Sequence, residues 1–148
     1  MPTGTRRRFL RMCTTGVASC VFIEACGSKS GAPAEFGDVS AGNVKDLPVG
    51  TMHQAGSDPV LIARDAGGLY ALTITCTHAG CDVEPQGADP SANLVCPCHG
   101  SVFDRNGAVV RGPARSPLVH FAVEVDELGN VTIHGGTQVA AATRVPIA

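Results

Sequence analysis

The chain has 148 residues, of which 44% are hydrophobic and 16% charged, and its 11 basic and 13 acidic residues give a net charge of −2. This length suffices for one domain with one core, and the charge balance provides no basic stripe of the kind that binds nucleic acid. The 18 Gly, 10 Pro, single Tyr and absence of Trp indicate a turn-rich chain. Beyond the first 25 residues, no segment has the sustained period of a helix.

The first 25 residues have the pattern of an export signal. Thr5-Arg6-Arg7-Arg8-Phe9-Leu10-Arg11 resembles the twin-arginine motif, with Arg in place of the final Lys. The apolar run from Met12 to Ile23 would span about 18 Å as a helix, against about 30 Å of bilayer hydrocarbon, so it predicts a signal h-region. We therefore expect residues 1–25 to direct export to the periplasm or the outer face of the cytoplasmic membrane.

A lipid attachment site is expected where the signal ends. Ile23-Glu24-Ala25-Cys26 resembles a lipobox, although its Glu departs from the small or apolar residue usual there. Cys20 fits by the residue types before it but lies close to the arginines, and a plain cleaved signal is a third alternative. We expect Cys26 to be lipidated and residues 26–42 to form a flexible tether. The chain without residues 1–25 has 7 basic and 12 acidic residues, which favours a partner with a basic face.

Three pairs of strand-like runs follow along the chain, each pair joined by a Gly-containing turn. The paired runs are 59–64 with 69–75, 101–104 with 108–111, and 119–125 with 130–134. Successive hairpins predict an all-β fold, a small antiparallel β-sandwich that projects loops from one end. We place this domain at residues 43–136 and a C-terminal extension at residues 137–148.

Two boxes, Cys76-Thr77-His78-Ala79-Gly80-Cys81 and Cys96-Pro97-Cys98-His99-Gly100-Ser101, concentrate Cys and His within the chain. Each offers one thiolate and one imidazole, spaced C-x-H in the first and C-x-x-H in the second. Structural zinc usually draws a Cys pair from one knuckle and a His pair from another. Mixed boxes instead suit a [2Fe–2S] cluster with two thiolates on one iron and two imidazoles on the other. Zinc, or a disulfide framework with incidental histidines, is the alternative.

Both boxes, their spacing and their flanking Gly and Pro residues resemble the Rieske family over about residues 36–135. The resemblance implies a Rieske-like sandwich with two cluster-binding loops and one [2Fe–2S] cluster. The ligands it implies are Cys76, His78, Cys96 and His99. It also implies a disulfide between Cys81 and Cys98, since the respiratory and photosynthetic branch carries these cysteines and the related oxygenases usually lack them. Loops that face each other would bring the two within bonding distance; two free buried thiols are the alternative.

The same resemblance implies residues that tune and cover the cluster. In high-potential members a Ser two residues beyond the ligand His, and a Tyr two residues further, donate hydrogen bonds to cluster sulfurs. Ser101 matches and Phe103 does not, so we expect an intermediate potential within the family range of roughly −150 to +300 mV. The segment that begins at Gly112 and Pro113 is similar to the family's proline loop, a stiff lid. The remaining histidines, His53, His120 and His134, are expected to be surface or sheet residues.

The sequence therefore predicts an exported, membrane-associated electron carrier that is not an enzyme on its own and passes single electrons in a respiratory-type chain. The expected partners are a quinol-oxidising complex or a cytochrome c-like acceptor. One alternative is the Rieske subunit of a cytochrome bc-type oxidoreductase, although Ala79 replaces the usual Leu. Another is the small subunit of an arsenite-oxidase-like enzyme. A ferredoxin component of an oxygenase is disfavoured by the export signal and the Cys81/Cys98 pair.

Overall fold

The computed structural model describes residues 36–86 and 92–147. The expected export signal, Cys26 and most of the expected tether therefore lie outside the described residues. Within the described ranges no helix is long and apolar enough to cross a bilayer. A 3-10 helix spans Val44–Asp46. The strands are β1 Asp38–Asn43, β2 Met52–Gln54, β3 Val60–Asp65, β4 Gly68–Thr73, β5 Glu84–Pro85, β6 Leu94–Val95, β7 Val102–Phe103, β8 Val109–Arg111, β9 His120–Val125 and β10 Asn130–Val139.

The strands form two antiparallel sheets, which confirms the predicted all-β fold. The larger sheet has the order β1-β10-β9-β4-β3-β2, and the smaller has the order β5-β6-β7-β8. Each of the three predicted hairpins is present, as β3 with β4, β7 with β8, and β9 with β10. The smaller sheet carries the second Cys/His box between β6 and β7, and the first box lies between β4 and β5.

Both ends of the described chain belong to the larger sheet. Residues 38–42, within the range that we expected to be tether, form β1 together with Asn43 and pair with β10. The pattern of β1 is a short alternation in which Val39 and Ala41 are buried, and this signal is weak because small residues surround it. At the other end β10 continues to Val139, and Val145 forms a bridge with Leu69, so the expected C-terminal extension also packs on the sheet.

The core has two parts, one on each face of the larger sheet. Leu61 and Leu72 point to the space between the sheets, where Leu94 and Phe103 of the smaller sheet meet them. The opposite faces of β3 and β4 pack against β1, β9 and β10. Burial on both faces explains why these two strands read as continuous apolar runs instead of alternating ones. The inter-sheet part matters for function because it extends to the two boxes.

The three histidines outside the boxes all lie on strands, as expected. His53 on β2 is exposed, whereas His120 on β9 is buried. The Nε2 atom of His120 lies 2.9 Å from the carbonyl oxygen of Asn106. Burial lowers the pKa of His120 below its usual value, so its ring is neutral near pH 7.

His134, on β10, contacts both of the strands that flank β10 in the larger sheet. Its Nδ1 lies 3.0 Å from Asp38 of β1, and its Nε2 lies 3.1 Å from Glu124 of β9. These hydrogen bonds, first that to Asp38 and then that to Glu124, raise the pKa of His134 above 6.5. When it is protonated, the ring donates to both carboxylates and so links β1 and β9 to β10.

We predict that part of the protein's thermal stability depends on this protonation. Because the pKa of His134 is raised in the folded chain, its contribution is complete below pH 6.5 and is lost as pH rises through the folded pKa. Replacing His134→Gln should lower the Tm by about 2–4 °C at pH 6 and have little effect at pH 8.5. The expected change is small because both carboxylates that contact His134 are largely exposed. Melting curves across this range test it, with His53→Gln as control. Equal pH profiles for the two variants would contradict the prediction.

Candidate metal centre

The two boxes form loops that leave the inter-sheet core at the same end. The first loop, residues 76–81, is closed by a β-bridge between Thr75 and Asp82. The second loop, residues 96–101, connects β6 to β7. Since β4 and β7 both pack on the inter-sheet core, the fold brings two segments 20 residues apart in sequence into one site.

The two loops share one backbone conformation. In each, the N–H of the first cysteine donates to the carbonyl of the sixth residue, and the N–H of the fifth residue donates to the carbonyl of that cysteine, at 2.7–2.9 Å. The fifth residues, Gly80 and Gly100, have φ of +78° and +74°. This left-handed conformation strains any residue with a Cβ atom. The glycine in each box is therefore a requirement of the loop, independent of the metal.

The thiols of Cys76 and Cys96 lie at the inner side of the loops. Their exposed fractions are 0% and 1%, and both pack in the inter-sheet core. Burial raises the pKa of the Cys96 thiol, and its hydrogen bond with the Cys76 thiol raises the pKa further. Two adjacent thiolates in an apolar site repel each other, and a cationic centre bound between them would offset this repulsion.

The imidazoles of His78 and His99 lie at the outer side. Their ring centroids are 4.8 Å apart with the planes nearly perpendicular, and both residues are exposed to solvent. The four expected ligands therefore divide into two buried sulfur donors and two exposed nitrogen donors. That division matches a cluster with one thiolate-bound iron inside and one imidazole-bound iron outside.

A disulfide joins Cys81 of the first loop to Cys98 of the second, as the sequence predicted. The sulfur atoms of these two residues and of Cys96 all lie within 4.8 Å of one another. Because Cys81 and Cys98 are bonded to each other, neither can supply a thiolate. Of the cysteines in the described part of the chain, Cys76 and Cys96 are the free ones.

The lid predicted at Gly112 and Pro113 folds back onto both loops. The Ala114 N–H donates to Ser101 Oγ at 3.0 Å, and Thr77 Oγ1 donates to the carbonyl oxygen of Ser116 at 2.6 Å. The Ser101 hydroxyl accepts this hydrogen bond and donates none to the described residues. Its proton is therefore available to a group bound between the two loops.

Two contacts of the lid region were not predicted from the sequence. One is the hydrogen bond of Thr77. The other is the Arg111 guanidinium, whose Nη2 lies 3.3 Å from the carbonyl oxygen of Gly100 and so ties β8 to the second loop. Both residues stand in or beside recognised motifs, but their partners depend on how the lid folds back, which residue spacing does not reveal.

The family model of the Rieske [2Fe–2S] domain matches residues 38–127 of the chain. The chain belongs to the Rieske family. The protein therefore carries one [2Fe–2S] cluster and transfers electrons, and the zinc and disulfide-framework alternatives do not apply. The donor set of the two loops fits such a cluster in number, in kind and in its separation into buried and exposed pairs.

Several relatives of this Rieske protein are named as cytochrome b6-f complex iron-sulfur subunits. A cytochrome b6-f complex iron-sulfur subunit of Prochlorococcus marinus (strain MIT 9215) is 33% identical over 151 residues, covering 86% of this chain and 83% of the relative. The subunit with the same name from Chlorobaculum tepidum is 32% identical over 93 residues, which cover 61% of this chain but only 50% of that relative.

Solved Rieske structures resemble the fold. The cyanobacterial plasma membrane Rieske protein PetC3 from Synechocystis PCC 6803 has a TM-score of 0.50 and 31% sequence identity, covering 64% of this chain and 97% of that one. A chain in the complex of reduced oxygenase and oxidized ferredoxin of carbazole 1,9a-dioxygenase has a TM-score of 0.50 and 27% identity, covering 70% and 97%.

Phe103 of this Rieske protein is fully buried. It pairs with Leu94 across β6 and β7 and belongs to the same inter-sheet core as Cys96. It stands where the resemblance leads us to expect a hydroxyl donor in high-potential members. A hydroxyl there would stabilise the added negative charge of the reduced state. The expected intermediate potential thus follows from one missing oxygen atom.

We predict that Phe103→Tyr raises the midpoint potential by about 60 mV, the one-electron equivalent of a hydrogen bond stronger by about 1.4 kcal/mol in the reduced state. Ser101→Ala should lower it by a similar amount. Protein-film voltammetry measures both shifts. The control is Phe121→Tyr, which adds the same hydroxyl to the core on the other face of the sheet and should leave the potential unchanged. An unchanged potential in Phe103→Tyr would refute the role given to the missing hydroxyl at this position.

Proposed function

We propose that Cys76 and Cys96 bind one iron of the cluster and that His78 and His99 bind the other. The arrangement that supports this assignment is the pair of buried, touching thiols behind a pair of exposed imidazoles 4.8 Å apart. No other cysteines of the described chain are free to contribute a thiolate. When bound, the cluster takes up and releases one electron.

We further propose that the protein carries single electrons in a respiratory-type chain outside the cytoplasm. The observation that carries this proposal is the exposure of both imidazoles at the tip of the domain. A ligand imidazole whose second nitrogen faces solvent can exchange a proton, and added negative charge at the iron strengthens its hold on that proton. His78 and His99 thus suit a donor that gives up an electron and a proton together, as a quinol does.

The disulfide and the export signal support the location. A disulfide persists in oxidising compartments and is rare in the cytosol, and Cys81–Cys98 holds the two loops together. Export of the folded protein through the twin-arginine route would follow cluster insertion in the cytoplasm. Lipidation of Cys26 would then keep the domain at the outer face of the cytoplasmic membrane.

A second candidate is the Rieske subunit of a cytochrome bc-type quinol oxidoreductase. The relatives named as cytochrome b6-f subunits favour it, because one of them aligns with 86% of this chain. Ala79 at the tip of the first loop, where that class normally has Leu, counts against it. A ferredoxin role is supported only by likeness to a carbazole dioxygenase complex, and the export signal opposes it.

We predict that the export signal and Cys26 have separable effects on location. In a bacterium with the twin-arginine pathway, Arg6→Lys combined with Arg7→Lys should leave most of the cluster-loaded protein in the cytoplasm. Cys26→Ala should permit export but release the protein into the soluble periplasmic fraction, whereas Cys20→Ala, the matched control, should stay with the membrane. Immunoblots and EPR of the fractions measure this.

Two results would contradict these assignments. Export that is unaffected by the paired lysine substitutions would refute the twin-arginine signal. Membrane retention of Cys26→Ala with loss in Cys20→Ala would move the lipid to Cys20.

Purification from detergent extracts separates the two candidate functions, because a bc-type subunit should elute in constant ratio with cytochrome b haem and an independent carrier should elute alone.

A further inference from the structure

We propose that a notch beside His78 receives an aspartate or glutamate side chain of the redox partner, and that Arg115 selects the partner by pairing with that carboxylate. The notch has a volume of about 330 Å³ and is lined by Thr77, His78, Pro113, Arg115 and Ser116. The proposal rests on the proposed electron-carrier function and adds to it the chemistry that the partner's docking face must present.

The two loops fix the backbone on both sides of Arg115. The preceding residue, Ala114, donates its N–H to Ser101 of the second loop at 3.0 Å. The following residue, Ser116, accepts a hydrogen bond from Thr77 of the first loop at 2.6 Å. Any change in the separation of the loops therefore moves Arg115, and its place beside His78 is set by the same contacts that hold the lid.

Arg115 differs from the other arginines in the part of the chain that the structure describes. Four of them donate hydrogen bonds to protein oxygen atoms: Arg64, Arg105, Arg111 and Arg144. The Arg115 side chain is exposed and, within residues 36–86 and 92–147, makes no hydrogen bond and no ion pair. It thus contributes no visible contact to the fold, although its backbone is held firmly.

A carboxylate is the group that this arrangement fits. The guanidinium presents its donors in a planar fork that matches a carboxylate in two parallel hydrogen bonds. A protein that comes close enough to His78 to exchange an electron covers the notch and desolvates Arg115. A partner without a negative group there leaves a buried charge unpaired, which is costly, whereas one with an acidic side chain gains a specific contact.

The local charge opposes the overall balance of the chain. The acidic composition favours a partner with a basic face, but the residue that meets the partner beside the expected ligand is positive. Asp82 and Glu84 follow the first loop along the chain but do not line the notch. We therefore assign Arg115 the role of a specificity-determining residue that acts at contact, while the net charge acts at longer range.

The test uses the full, cluster-loaded chain and two forms of one probe. The probe is a lysine-rich cytochrome c and its fully succinylated derivative, in which the lysines around the haem edge have become carboxylates. The variant is Arg115→Gln. The matched control is Lys45→Gln, which removes the same charge from an exposed position in the 3-10 helix between β1 and β2, far along the chain from both loops.

Calorimetric titration of the oxidised proteins at about 0.15 M ionic strength, where salt screens the long-range repulsion between the acidic chain and the succinylated cytochrome, measures docking without electron transfer. Arg115→Gln should weaken binding of the succinylated cytochrome by about tenfold and leave binding of the native form unchanged or tighter, while Lys45→Gln should change either affinity by less than about twofold. Equal effects of the two substitutions, or no binding of the succinylated form by the wild type, would overturn the proposal. EPR spectra and midpoint potentials verify that each variant retains its cluster.

Two further arms separate the remaining outcomes. If acetate at matched ionic strength binds the wild type but not Arg115→Gln, while both bind the succinylated cytochrome equally, the notch holds a free carboxylate and the docking proposal is wrong. Stopped-flow reduction of each cytochrome tests the underlying function. Specific binding without reduction by the wild type would leave the docking assignment intact and refute the electron-carrier function toward cytochromes c.

Discussion

The closure of two loops over the end of the inter-sheet core is the constraint on which the site depends. Each loop presents one buried thiol, and the disulfide between Cys81 and Cys98 fixes the loops to each other. Without that closure Cys76 and Cys96 would not touch, and the two imidazoles would not share one exposed tip. The sheets make the loops rigid. β4 leads into the first loop and β7 follows the second, and both strands pack on the same core.

The site is polarised between its inner and outer sides, and this polarity suits the function proposed. The apolar residues around the thiols lower the local dielectric constant, which strengthens the electrostatic interactions of the cluster with nearby groups. The exposed imidazoles give water, a quinol or a partner protein access to one side only. The lid completes the arrangement, since Ser101 and Thr77 hold it from the two loops and thereby place Arg115 at the edge of the exposed side.

Much of this organisation could be predicted from the sequence, because the site lies in two compact boxes and the three hairpins have clear turns. The short strands β5 and β6 could not, since two-residue strands such as Leu94–Val95 carry no periodicity. Residues 38–42 of β1 fall within the expected tether, because Gly and Ser separate the few apolar residues of this strand and its pairing with β10 depends on a contact distant in sequence. The contacts of Thr77 and Arg111 likewise depend on tertiary folding of the lid, which no local pattern encodes.

The proposed function depends most on the proposed ligand set of two histidine nitrogens and two cysteine sulfurs. Pulsed electron–nuclear double resonance of the dithionite-reduced protein, with histidine labelled by nitrogen-15, tests this ligand set directly. We expect strong couplings from two histidine nitrogens, one of which disappears in His78→Cys and the other in His99→Cys, with no change in His53→Gln. A spectrum with no histidine coupling, or one whose couplings survive both substitutions, would refute the ligand set.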